Sequence, residues 1–305
     1  MTHPFLERLR KGVMLCDGAM GTLLYMRSVS FKRSFEELNL SNPQMVLEVH
    51  RDYIKAGAEI IETNTFGANA IRLRDFGLEK KVREINLMGA EIAREAREKE
   101  GKGVFVAGSM GPMGKPATPP EEISEKEVTD IFQKQAESLL QGGVDLVILE
   151  TFSDTAELML AVSAVRNICQ LPIIASMTFN EEGKTFNGQS AAEAGYELNQ
   201  MEVEIIGANC GTGPQSMPEI TRSLSQSTSK MLSIQPSAGI PRYRDGNFIY
   251  PASPEYFTEC LRDCVLAGAN IIGGCCGTTP DYIRSLSLML RNSNSAATNT
   301  KSQTE

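Results

Sequence analysis

Eight short apolar runs recur along the chain, at residues 13–16, 59–62, 104–107, 145–149, 173–177, 204–208, 231–234 and 270–273. Each is rich in Val, Ile, Leu or Met and too brief for a helix, which is how a parallel strand covered on both faces reads. Between and after them lie helical patterns over residues 43–56, 79–98, 124–140, 154–168, 190–200, 214–224, 254–266 and 280–290. The first places Met45, Val46, Val49, Tyr53 and Ile54 on one face and stops at Gly57; the third opens on Ser124 and Glu127, a capping-box signature. Strand followed by helix, eight times over, predicts an α/β fold: a single-domain (β/α)8 TIM barrel with its active site at the C-terminal ends of the strands. A doubly wound open sheet is the other arrangement this alternation allows. The 305 residues suit one barrel, since such folds routinely reach about 250 residues as a unit. The barrel is expected over residues 1–291. Residues 292–305 are Ser/Thr/Asn-rich without an apolar period, and read as a disordered polar tail or the start of a linker.

The unusual residues gather at one rim, after the strands. Asp17-Gly18-Ala19-Met20-Gly21 follows the first run, Thr63-Asn64-Thr65-Phe66-Gly67 the second and Gly108-Ser109-Met110-Gly111-Pro112 the third. Glu150-Thr151 ends the fourth, and Gln235-Pro236-Ser237-Ala238-Gly239 the seventh. Turns on the opposite rim, such as Ala56-Gly57-Ala58 and Ala267-Gly268-Ala269, are short and resemble helix C-caps. Two long loops, residues 114–122 with Pro116, Pro119 and Pro120, and 241–251 with a hairpin-type Asp245-Gly246 turn, are placed to cover the active rim.

Cysteines carry the chemistry. Ile205-Ile206-Gly207-Ala208 runs into Asn209-Cys210-Gly211, and Ile271-Ile272-Gly273-Gly274 into Cys275-Cys276-Gly277-Thr278-Thr279-Pro280. Three thiols at two strand ends are what a zinc ion with one open position needs; the plainer reading is that Cys210, Cys275 and Cys276 are small buried hydrophobes. Cys16, Cys169, Cys260 and Cys264 are assigned to structure. Of the two histidines, His3 lies in the leader and His50 within a helix, so a His-based zinc hydrolase site or a Ser-His-Asp triad is excluded. A metal held by three thiolates is a poor activator of water and suits binding a substrate thiol and keeping it nucleophilic. Glu150, after four apolar residues, is costly to bury alone, and a substrate ammonium would satisfy it. Gly18 and Ala19 can offer backbone N–H groups to a carboxylate. The glycines around residues 211–213 and 274–277 would alternatively cradle a phosphate, a reading that leaves the cysteines unexplained.

With a net charge of −8 and no basic run, the chain is not expected to bind nucleic acid or an anionic membrane surface. No h-region opens it, and no apolar stretch is long enough to span a bilayer. Seven unevenly spaced cysteines do not make a secreted disulfide framework, so a reducing cytoplasm is the expected compartment.

Asp17-Gly18-Ala19-Met20-Gly21-Thr22, Glu62-Thr63-Asn64-Thr65-Phe66, Glu150-Thr151, Gly207-Ala208-Asn209-Cys210-Gly211 and Gly273-Gly274-Cys275-Cys276-Gly277-Thr278-Thr279-Pro280 together resemble the homocysteine S-methyltransferases. The likeness is nearest to the homocysteine-binding module of cobalamin-dependent methionine synthases and covers residues 9–290. The resemblance implies a methyltransferase that makes methionine from L-homocysteine. It further implies Zn2+ on Cys210, Cys275 and Cys276, with the homocysteine sulfur in the fourth position. Glu150 would then hold the substrate ammonium and the Asp17, Gly18 and Ala19 loop its carboxylate, with Asn209 also in contact.

Departures from the family concern the methyl donor and the fourth ligand. Betaine-using relatives enclose the quaternary ammonium in aromatic rings; here there is no tryptophan, Gly67 follows Phe66 and Thr151 follows Glu150, which disfavours betaine. Methylcobalamin, supplied by another module or a corrinoid protein and linked to methyltetrahydrofolate, is the expected donor. S-methylmethionine is the alternative, and a non-catalytic homocysteine- or zinc-binding module is the rival from another class. Ser237 stands where cobalamin-type relatives carry asparagine, leaving Ser237, water or nothing ordered as the resting fourth ligand.

Overall fold

The computed structural model describes residues 3–101, 103–114, 123–244 and 247–301. Every apolar run becomes a strand: β1 Met14–Leu15, β2 Ile60–Glu62, β3 Phe105–Met110, β4 Leu146–Phe152, β5 Ile173–Met177, β6 Ile205–Cys210 and β7 Met231–Pro236. After a small antiparallel hairpin, β8 Arg242–Arg244 and β9 Asn247–Ile249, comes β10 Ala269–Ile272. Neighbours run in the order β1-β10-β7-β6-β5-β4-β3-β2, each pair parallel, and a parallel bridge between Cys16 and Ile60 joins the two ends. The sheet is thus closed into a (β/α)8 barrel, and the open doubly wound sheet is ruled out.

Alternation along the strands sorts their side chains into two cores. Leu146, Ile148, Ile174, Ile205 and Ile271 meet inside the barrel, while Val147, Leu149, Ala175, Ile206 and Ile272 pack outward against the helices. The helix Pro4–Leu9 closes the floor: Phe5 and Leu9 join the interior cluster, Phe5 edge-on to Phe105 at 5.4 Å. Continued toward the rim, the same alternation turns Glu62, Glu150, Asn209 and Gln235 into the barrel mouth, where they line a cavity. A carboxylate at the end of an apolar run is therefore aimed at the site by register alone.

Local signals set the helix ends. Asn42 caps Pro43–Ala56 and Gly57 ends it at φ 116°, a conformation that favours glycine. Ser124 with Glu127 and Ser190 with Glu193 both form capping boxes. The helices Met20–Met26, Leu38–Ser41 and Ala70–Arg74 were not anticipated, being too short for a periodic signal. The last helix, Pro280–Lys301, runs on through the stretch read from sequence as a disordered tail or linker. Residues 115–122, within one of the loops expected to cover the rim, and the Asp245-Gly246 turn lie outside the described residues. Among the described residues no helix is long and apolar enough to cross a membrane.

Candidate active site

The rim opens into a cavity of about 560 Å³ with Cys210, Cys275 and Cys276 in its wall. Their sulfur atoms all lie within 4.8 Å of one another. Tetrahedral zinc with Zn–S bonds of about 2.3 Å sets ligand sulfurs roughly 3.8 Å apart, so the triad fits this ion with little adjustment. The plain reading of these thiols as core fails as well, because Cys276 is exposed and the other two half-buried. Without metal they share protons: S–H donation from Cys210 and Cys275 holds the Cys276 thiol down to about 3, while the same contacts push Cys275 up.

Two strands make abrupt exits here. Thr151 (φ 62°) and Cys210 (φ 60°) adopt left-handed backbone that is unfavourable for residues with a Cβ. Asn209 holds the first bend, its Oδ1 accepting from Thr151 N at 2.7 Å and its Nδ2 donating to Thr151 Oγ1 at 2.7 Å. The same Nδ2 donates to Glu150 Oε2 at 3.3 Å, and Ser109 Oγ donates to Glu150 Oε1 at 2.5 Å. Glu150 is 8% exposed, and burial followed by repulsion from Glu62 raises its pKa well above the carboxylate range. Glu36, Glu62 and Glu150 line the cavity, and no Lys, Arg or His among the described residues does. Such a wall favours a cation.

Gly18 and Ala19 also line the cavity. The Ala19 N–H is already given to Thr278 Oγ1 at 3.2 Å. The start of the helix Met20–Met26, which no side chain caps, also borders the cavity. Thr278 also donates to Cys275 O at 2.7 Å, and Tyr53 OH reaches both Ala19 O and Thr278 O at 3.1 Å, so the first and last rim loops are tied together.

Asp17 departs from its expected place. It does not line the cavity; its Oδ2 accepts from Glu62 N at 3.0 Å and its carbonyl from Gly274 N at 2.9 Å. It ties β1 to β2 and to the cysteine loop behind the site, because the register at Cys16 turns residue 17 away from the mouth. Glu62 is the residue the sequence reading missed. Like Glu150 it closes an apolar run, and its Oε1 accepts from Gln235 Nε2 at 2.6 Å.

Burial, then mutual repulsion, raises Glu62 to about 8, and burial raises Asp17 to about 8 as well. An acid with a raised folded pKa contributes stability fully below its unfolded value and loses it as pH climbs through the folded one. Stability of the metal-free protein is therefore expected to fall from pH 5 to pH 8. Glu62→Gln, which keeps an oxygen for Gln235, should flatten that fall by on the order of 2 kcal/mol. Urea midpoints at both pH values check this, and an equally steep fall in the variant would refute it.

Aromatic rings surround the mouth. Tyr25 stacks on Phe31 at 4.4 Å, and Phe248 of the hairpin meets both at 5.6 and 5.3 Å. Phe35, Phe66 and Tyr250 complete the wall. The rings thus come from segments other than residues 67 and 151, so their absence at those two strand tips does not disfavour betaine. The remaining candidates stay out of the site. His3 caps the helix Pro4–Leu9 and His50 is buried on Pro43–Ala56, held neutral by burial that lowers its pKa to about 3.

Comparison with known proteins agrees with this geometry. The chain is 34% identical over 294 residues to the methionine synthase of Mycobacterium leprae, covering 92% of this chain and 24% of that protein. It is 33% identical over 305 residues to the methionine synthase of Mycobacterium tuberculosis, covering 94% and 25% respectively. The chain thus spans about a quarter of these curated relatives. The fold is shared with the metallated form of the homocysteine methyltransferase MmuM from Escherichia coli, at TM-score 0.77 and 24% identity, covering 91% of this chain and 96% of that one. Residues 14–290 match the family described as Homocysteine S-methyltransferase, and with that match spanning the whole barrel the chain belongs to this family.

Proposed function

We propose that the chain binds L-homocysteine at a zinc ion held by Cys210, Cys275 and Cys276 and catalyses transfer of a methyl group to its sulfur, yielding methionine. The observation that carries this is the meeting of three sulfurs in a cavity whose charged wall residues are all carboxylates. Zinc bound there would supply a Lewis-acid site that keeps the substrate thiol ionised and nucleophilic at neutral pH. Glu150, braced by Ser109 and Asn209, receives the substrate ammonium and ionises on doing so. The Gly18–Ala19 turn and the uncapped helix start beyond it receive the carboxylate. Both contacts orient the acceptor, converting a bimolecular encounter into a positioned one. The aromatic mouth excludes water around the transferring methyl.

The donor we infer is methylcobalamin, carried by another module or a corrinoid protein. Likeness to methionine synthases about four times as long supports it. A second reading, S-methylmethionine, draws on the rings of Tyr25, Phe31 and Phe248, which suit a sulfonium cation. The barrel over residues 1–291 is proposed as the functional unit, in a reducing cytoplasm that keeps the thiols free. Purified protein should hold about one zinc per chain, with X-ray absorption counting three sulfurs and a fourth on adding homocysteine. No added sulfur would sink the open-site reading. Methyl transfer assayed side by side with methylcobalamin, S-methylmethionine and betaine names the donor, and inactivity with all three would favour a binding module.

A further inference from the structure

The tip of β7 contributes no thiol, yet it touches both cysteine loops. Pro236 O accepts from Cys275 N at 2.8 Å, and Ala238 N donates to Cys276 O at 2.8 Å. Between them, Ser237 N donates to Cys210 O at 3.1 Å, and Ser237 Oγ donates to Gly211 O at 2.8 Å. Four hydrogen bonds from three consecutive residues therefore set the two loops against each other, the one from Ser237 Oγ being shared with Cys210 O at 3.4 Å. Three of them are backbone bonds that any residue at these positions could keep; the fourth depends on the Ser237 hydroxyl.

That fourth bond falls where the backbone most needs holding. Cys210 (φ 60°) and Gly211 (φ 71°) are both left-handed, and at Cys210 this conformation costs about 1–2 kcal/mol. The pair would relax unless both carbonyls were pinned, and relaxation would swing Cys210 Sγ off its partners. Ser237 is 2% exposed and absent from the cavity wall, so its hydroxyl is committed to the loop and does not face the substrate.

We propose that Ser237 is a positioning residue for the cysteine triad: it clamps the left-handed Cys210–Gly211 turn and thereby aims Cys210 Sγ at those of Cys275 and Cys276, without ligating the metal itself. This rests on the zinc reading above. Outer-shell partners of metal ligands are typically worth 10–100-fold in affinity.

The test is zinc affinity of the full chain, read by competition with a chromophoric chelator, beside thermal melting of the metal-free forms. Ser237→Ala is expected to weaken zinc binding by about 10–100-fold while the metal-free protein still melts cooperatively near the wild-type temperature. Ser237→Thr, which keeps the hydroxyl, should recover much of the loss. X-ray absorption of zinc-loaded Ser237→Ala should show the same sulfur and oxygen neighbours as wild type, whereas loss of an oxygen neighbour would make Ser237 a ligand and overturn the proposal. Unchanged zinc affinity in Ser237→Ala, or equal loss in the alanine and threonine variants, would also overturn it. A wild-type chain that binds no zinc would bring down the metal-centre reading along with it, and so is distinguishable from these outcomes.

Discussion

Cys276→Ser is expected to reduce zinc content from about one per chain to near none and methyl transfer to background, while the protein still unfolds in one cooperative transition. The asymmetry follows from where the thiols sit. Small zinc modules fold only with metal because they have no other core. Here Leu146, Ile148, Ile174, Ile205 and Ile271 fill the barrel interior, Phe5 and Leu9 seal its floor, and a second core lies under the helices. None of these contacts involves the rim sulfurs. Catalysis is different, because a free thiol with a pKa of about 8.5 is only about 3% ionised at pH 7. Raising the pH to 9 lifts that fraction to roughly three-quarters, so the variant should regain some activity with alkali, though positioning remains lost. Circular dichroism melting beside a methyl-transfer assay from pH 7 to 9 separates the cases. An unfolded variant would mean the rim supports the fold; a fully active zinc-free one would mean the thiols do not serve the chemistry.

Much of this architecture is legible in the sequence for a physical reason. Strands buried on both faces must be continuously apolar, so each run from Val13 to Gly273 announces itself, and whatever interrupts it marks the rim. Glu150 and the three cysteines were found by that rule. Glu62 obeys the same rule less visibly, because only Ile60 and Ile61 separate it from Glu59, so it reads as a charge flanking a short strand. What lay hidden is what only closure creates. Asp17 looks like a rim residue until the bridge from Cys16 to Ile60 turns its carboxylate to the Glu62 backbone. The aromatic mouth is assembled from Tyr25, Phe31 and Phe248, residues far apart in the chain with no shared period. The helix Pro4–Leu9 is too short for periodicity to reveal, yet it plugs the barrel. Ser237, a substitution that raised doubt about a ligand, acquires a structural partner only once β6 and β7 lie side by side.

Glu150→Gln should weaken homocysteine binding by about 1–3 kcal/mol, since a charge-assisted hydrogen bond to the ammonium becomes a neutral one. The surroundings make this a clean replacement. A glutamine can present its oxygen to Asn209 Nδ2 and its amide to Ser109 Oγ, which a hydroxyl can accept, so neither neighbour is orphaned. Zinc content and stability should accordingly hold, and stability should even gain, because a buried carboxyl with a raised pKa is a liability at neutral pH. Burial and the neighbouring Glu62 favour the protonated carboxyl in the free site, so pairing with the ammonium draws off a proton that the variant does not carry there, while the thiol proton lost at zinc leaves in both. Calorimetric titration in two buffers of different ionisation enthalpy measures both quantities at once. Wild type should release more protons on binding than Glu150→Gln, and the variant should bind about 5–150-fold more weakly, the same free-energy range expressed as affinity. Equal affinities with zinc intact would make Glu150 a brace for the Asn209 side chain and leave the ammonium to another cavity carboxylate, such as Glu62, which Gln235 holds in the barrel mouth.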